Sequence, residues 1–133
     1  MTINAIRNGL GANLATITGL RVSPYIPDDI APPVAVVGSA SITYDTAFRN
    51  GLHTYEFSVT VIVGRTSERS AQNRLDAYAD PVGASSVKAA IEGDRTLGGA
   101  AQTLQVTRTN GNQIVQVGET VYAAVEFTVV VYA

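Results

Sequence analysis

Ile3, Ile6, Leu10, Leu14 and Ile17 recur at steps of three and four, which places them on one stripe of a helix over residues 3–18. Thr2 stands where it would cap the start of that helix, and Gly19 where it would end it. Gly9 and Gly11 each cost the helix up to about 1 kcal/mol relative to Ala. Small residues there either let another backbone come close or mark a marginal helix. A short strand is expected over residues 20–25. The following stretch, residues 24–33, holds Pro24, Pro27, Pro32 and Pro33, whose missing donors and fixed φ exclude both helix and central strand.

The pattern then changes to period two. Residues 34–38 and 41–45 read as strand pieces around Gly38, and Asn50-Gly51 is a hairpin-turn signal. His53, Tyr55, Phe57, Val59, Val61 and Val63 alternate with Thr54, Glu56, Ser58, Thr60 and Ile62, giving a strand with one core face. Thr66 and Ser67 open a helix with Glu68 in its first turn, Ala71, Leu75 and Tyr78 form its apolar side, and Asp80-Pro81 stops it. A second short helix over residues 85–92 buries Val87 and Ile91 and ends at Gly93. Residues 101–109 and 112–117 read as two strands around a second hairpin signal, Asn110-Gly111. Gly118-Glu119 turns the chain into a last strand, with Val121, Ala123, Val125, Phe127, Val129 and Val131 on one face. The expected fold is α+β: an antiparallel β-sheet of about four to six strands, with the N-terminal helix and one to two central helices packed on one face.

Length and composition narrow the functional classes. The 133 residues suit a single domain spanning 1–133, and only 15% of them are charged, against a usual share of about 25%. A surface of Thr, Ser, Asn and Gly is cheap to desolvate, as a subunit inside an assembly requires. The net charge of −2 offers no bulk positive field for nucleic acid. With no cysteine, disulfides, thiolate metal sites and cysteine nucleophiles are excluded. No apolar run is long enough to span a membrane and no signal-peptide pattern precedes the first helix, so a cytosolic product is expected.

Candidate chemistry is sparse. His53 is the single histidine and falls in phase with the core face, where a structural role is the common one. No G-x-S-x-G elbow occurs. Gly9-Leu10-Gly11 begins like a dinucleotide fingerprint but lacks the third glycine and the preceding strand. Asp28-Asp29 lie adjacent in the proline stretch, and Asp76 and Asp80 share a helix face without further acidic ligands at calcium-loop spacing. Arg65, Arg69 and Arg74 are natural partners for those carboxylates. The expectation is no enzyme, no metal and no cofactor. Large apolar residues at loop positions say more: Phe48 and Leu52 flank Arg49-Asn50-Gly51, and Tyr25 and Ile26 sit among the prolines. Such residues either form contact surfaces or fold back over the sheet edge.

The order of these elements resembles the tail-terminator proteins of long-tailed bacteriophages. The likeness covers nearly the whole chain: the N-terminal helix, the proline stretch, the strand Tyr55-Glu-Phe-Ser-Val-Thr-Val-Ile-Val63, the helix carrying Arg74-Leu-Asp-Ala-Tyr-Ala-Asp80, and two final strands. Its most specific part is the run from Leu75 to Gly99, which ends in Thr96-Leu97-Gly98-Gly99. The resemblance implies a homo-hexameric ring in the virion, at the head-proximal end of the tail, made in the cytoplasm of the host bacterium. Such a ring stops polymerisation of the major tail protein and docks the head-to-tail connector, while DNA passes through its channel without specific binding. Contacts to the tail or to neighbouring copies would fall on residues 24–33 and 44–52, with Tyr25, Ile26, Phe48, Arg49, Asn50 and Leu52 as contact residues. Arg65, Arg69 and Asp76 would serve ring packing. The alternatives are another ring-forming neck protein that binds the portal assembly, and a small enzyme or ligand-binding domain using Asp28, Asp29 or His53.

Overall fold

The computed structural model describes residues 3–17, 19–23, 33–44, 53–65, 69–117 and 119–133. The elements run α1 (Ile3–Leu14), β1 (Arg21–Ser23), β2 (Val34–Thr43), β3 (Thr54–Arg65), α2 (Arg69–Ala79), α3 (Val87–Ile91), one 3-10 turn (Leu97–Gly99), β4 (Thr103–Val117) and β5 (Thr120–Tyr132). The strands form a single five-stranded sheet in the order β1-β2-β3-β5-β4. This is the expected α+β fold, with an N-terminal helix and two central helices.

Three details differ from the sequence reading. β1 pairs parallel to β2, so the sheet is mixed rather than wholly antiparallel. β2 is one continuous strand whose register shifts between Val37 and Ala40. A Cβ on Gly38 would stand 2.9 Å from the carbonyl oxygen of Ser58, so the bulge brings two backbones closer than a side chain allows. Asn110-Gly111 is not a hairpin turn: β4 runs through it and pairs with β5 from Thr103↔Tyr132 to Val117↔Thr120. β5 is long enough to pair with both halves of β4, and the dipeptide stands at a register shift between Asn110 and Gln113 instead of a chain reversal. The chain reverses between Val117 and Thr120, where Gly118-Glu119 signals a turn. Thr2, Asn50-Gly51 and the Thr66-Ser67-Glu68 helix start lie outside the described residues.

The core forms where the period-two faces of β3 and β5 meet the helices. Phe57 pairs with Val129, Val59 with Phe127 and Val61 with Val125, all of them buried. Ile6, Leu10 and Leu14 of α1, Leu75 and Tyr78 of α2, and Val87 and Ile91 of α3 pack on that same face. α1 is shorter than its apolar stripe. It ends at Leu14, and bonds from Thr16 N to Asn13 O and from Ile17 N to Leu14 O tighten the chain so that Ile17 still reaches the core. A second, smaller cluster of Val34, Val36, Ile62 and Ala124, flanked by Tyr122, lies on the opposite face of the sheet and draws on strand residues only.

Polar side chains fix α1 in place. Asn13 is buried, and its Nδ2 donates to the carbonyls of Ile91 at 2.8 Å and Asp94 at 3.0 Å. It thereby satisfies an acceptor at the C-terminus of α3 that the helix itself leaves unpaired. Arg7 Nη1 donates to Val37 O and Gly38 O, both at 2.8 Å, and its guanidinium lies 5.6 Å from the ring centre of Phe57.

Gly9 shows what the small residues of α1 do. A Cβ there would lie 2.7 Å from Cβ of Leu97, a buried residue that itself holds a left-handed φ of 51°. Gly9→Ala would gain about 1 kcal/mol of helix propensity but force apart two packed backbones, which costs about 1–3 kcal/mol. The prediction is net destabilisation, read as a lower urea midpoint with an unchanged slope; a midpoint at or above wild type contradicts this packing.

Candidate interaction surface

Most of the contact residues expected from sequence lie outside the described residues: Tyr25, Ile26, Phe48, Arg49, Asn50 and Leu52. Arg65 and Arg69 fall at the end of β3 and the start of α2, and their side chains are likewise outside the description. Asp76 is exposed on α2. Arg74 Nη1 donates to the carbonyl of Val63 at 3.3 Å, tying α2 to β3. Burial raises the Tyr78 hydroxyl above its ordinary pKa, partly offset by the nearby Arg74 charge.

His53 sits at the mouth of β3, half-buried, with edge-on ring contacts to Tyr44 at 5.6 Å and Tyr55 at 6.4 Å between centres. Its backbone exchanges two hydrogen bonds with Ala133, which closes the end of the β3–β5 ladder. Among the described residues no cluster of three metal-ligating side chains is present, and no helix is long and apolar enough to cross a membrane.

The richest polar constellation was missed from sequence. It lies between α3 and β4, an edge strand of the sheet. Ser86 caps α3: its Oγ accepts from Ala89 N at 3.1 Å and donates to Asp80 O at 2.6 Å. One turn on, Glu92 takes Lys88 Nζ at 2.6 Å and Arg95 Nη2 at 3.3 Å, and its Oε2 accepts from the backbone N–H of Val106 at 3.1 Å. Arg95 also donates to Leu104 O at 3.1 Å. Glu92 and Arg95 thus occupy edge groups of β4 that would otherwise offer themselves to another strand. The neighbouring Asp94 orders the Thr96–Gly98 turn, accepting from Thr96 N and Oγ1 and from Gly98 N.

These contacts set the carboxylate ionisation. Burial alone would raise Glu92, but hydrogen bonds from Lys88 and Val106 and the charges of Lys88 and Arg95 outweigh it, so its pKa falls below the ordinary value. Asp94 is also lowered, first by the Thr96 hydroxyl and then, against some desolvation, by the N–H groups of Gly98, Thr96 and Leu97.

Past the capped stretch, the register shifts between Val106 and Arg108, and the hydroxyls of Thr107 and Thr109 donate to Thr128 O and Glu126 O. Here a groove of about 270 Å³ opens between this part of β4 and the end of α2. Val106 and Phe127 line it from the sheet, and Ala79 and Pro81 from the segment leaving α2. Lys88 and Arg108 complete its lining, with Arg108 paired to Thr128, a residue of the face turned away from the helices. Lys88 is engaged by Glu92, whereas Arg108 is exposed and forms no ion pair among the described residues.

The sheet face turned away from the helices has a different chemistry. Beyond the small Val34–Ala124 cluster it carries half-buried Ser58, Thr60 and Thr128 with the carboxylates Glu56 and Glu126. Neither a scan against protein-family models nor a search of curated proteins finds a match to this chain.

A folded-state pKa below the unfolded value means that Glu92 stabilises the protein above about pH 4.5, and that this contribution fades as pH falls through the lower folded value. Glu92→Gln is therefore predicted to cost about 1–3 kcal/mol at neutral pH. That difference should shrink as pH falls into the acid range, where wild-type Glu92 is itself protonated. Urea midpoints of both proteins at neutral and acid pH test this; a difference that does not change with pH contradicts it.

Proposed function

We propose that the chain is a structural subunit of a tail-terminator ring, closing the head-proximal end of a phage tail tube and presenting a docking surface for the head connector. The observation that carries the reading is the element order. The structure has an N-terminal helix, a long strand, a helix, a Ser86-capped short helix, the Leu97-Gly98-Gly99 turn and two final strands in that order, and this order supports the reading.

The surface chemistry supports a role in assembly. The hydroxyls of Ser58, Thr60 and Thr128 on the open sheet face lose little on desolvation, while Glu56 and Glu126 on the same face need polar partners in any contact. The net charge of −2 suits a conduit that lets DNA through without gripping its phosphates. Capping in this reading is steric: one ring face mates with the last tube subunit and the opposite face refuses another. Copies then meet head to tail, because only a heterologous contact whose rotation closes makes a ring.

The test is polymerisation of the cognate major tail protein, followed by light scattering. Substoichiometric amounts of this protein are expected to arrest growth. The double replacement Phe48→Ala with Arg49→Ala is expected to fold normally and weaken that arrest severalfold. Growth unaffected by the wild-type protein contradicts the function; equal arrest by the variant contradicts only the assignment of residues 44–52.

A further inference from the structure

β4 is the last strand of the sheet, and among the described residues no strand lies beyond it. Hydrogen-bonding direction alternates along a strand, so Leu104 and Val106 turn their backbone groups to the open side. The reach of α3 shows this: Glu92 Oε2 accepts from Val106 N at 3.1 Å, and Arg95 Nη1 donates to Leu104 O at 3.1 Å. The side chains of Leu104 and Val106 belong to the core, which holds this stretch of edge in place.

Proteins commonly guard an edge with charges or prolines on the strand itself. The stretch Thr103-Leu104-Gln105-Val106-Thr107 carries neither, so its guard comes from outside. The two groups held are also a matched pair. When β4 pairs antiparallel with β4 of a second copy about Gln105, Leu104 stands opposite the partner's Val106. Each Val106 N–H then donates to the Leu104 carbonyl across from it. Glu92 gives that donor a substitute acceptor, and Arg95 gives that acceptor a substitute donor. One copy thus satisfies internally the two groups that a second copy would satisfy, and no charge within the stretch repels its own copy.

We propose that Glu92 and Arg95 form an autoinhibitory clasp over a self-pairing edge, and that withdrawing it joins two copies through antiparallel β4 strands centred on Gln105. Lys88 Nζ holds both carboxylate oxygens of Glu92 at 2.6 Å and keeps that arm in place. Arg95 is the looser arm, with its side chain 53% exposed against 12% for Glu92. The paired contact is isologous and closes at two copies, so it builds no ring. The clasp keeps copies out of such pairs and leaves them to meet through other surfaces. The inference does not depend on the ring reading.

In the pairing, Gln105 faces its own counterpart with Cα atoms about 4.5 Å apart, close enough for a disulfide. Gln105 is exposed and the chain has no other thiol to compete. Whole-chain Gln105→Cys is oxidised mildly, once with the clasp intact and once with Glu92→Ala and Arg95→Ala. The open chain is expected to give severalfold more disulfide dimer, and under reducing conditions to sediment at twice the mass of the clasped chain. Thr109→Cys, exposed on the same strand but off the two-fold, should show no such rise. Glu92→Gln with Arg95 retained keeps an acceptor for Val106 N–H, so its yield should stay at the clasped level although the protein is less stable. That contrast separates guarding the edge from stabilising the fold.

Equal Gln105→Cys yields with and without the clasp, or a rise shared by Thr109→Cys, overturn the proposal. Should circular dichroism show the double variant unfolded, Arg95→Ala alone frees the Leu104 carbonyl and is expected to raise the yield; no rise there overturns the proposal as well. Arrest of tail-tube growth is read separately, so the ring reading can fail while the clasp stands, and the reverse.

Discussion

Everything in this chain depends on burying one face of a sheet. β3 and β5, separated in sequence by α2, α3 and β4, pair directly and line up Phe57, Val59, Val61, Phe127, Val129 and Val131 on that face. The helices that cover it have 12, 11 and 5 residues, at or below the roughly 12–15 residues at which an isolated helix is marginal even with favourable composition. Packing on the sheet, more than propensity, makes them helices. α1 illustrates this: it accepts the cost of Gly9 because the missing side chain lets Leu97 close over it.

Once that layer is formed, a few polar side chains decide where the molecule stays open. Asn13 ties α1 to the end of α3, and Arg7 holds the β2 bulge from the same helix. Glu92 and Arg95 close one stretch of the β4 edge. What remains beside the closed stretch is a groove lined by Ala79, Pro81, Val106 and Phe127, and the opposite face of the sheet shows hydroxyls together with Glu56 and Glu126.

Periodicity made the layer legible. The stripe from Ile6 to Ile17, the alternation from Tyr55 to Val63 and the run from Val121 to Val131 name most of the core directly. Asn110-Gly111 misled because the local preference of a dipeptide is weaker than fifteen residues of continuous pairing. The parallel partnership of β1 had no local signal, since three residues carry too little pattern to set direction. Asn13 reads as a polar residue beside an apolar stripe, and only its position against Ile91 and Asp94 reveals a buried donor. Glu92 and Arg95 are invisible for the same reason: their strand partners are backbone groups fourteen and nine residues away in sequence, and backbone groups leave no trace in composition. Arg108 became distinctive only when β4 proved to be an edge.

The proposed role for this weakly charged chain is to close a ring on a tube. Electron microscopy of self-assembled tail tubes, grown with and without the purified protein, tests it most directly. Shorter tubes are expected, each bearing a closed ring of copies at one end only. Tubes of unaltered length with bare ends would contradict it.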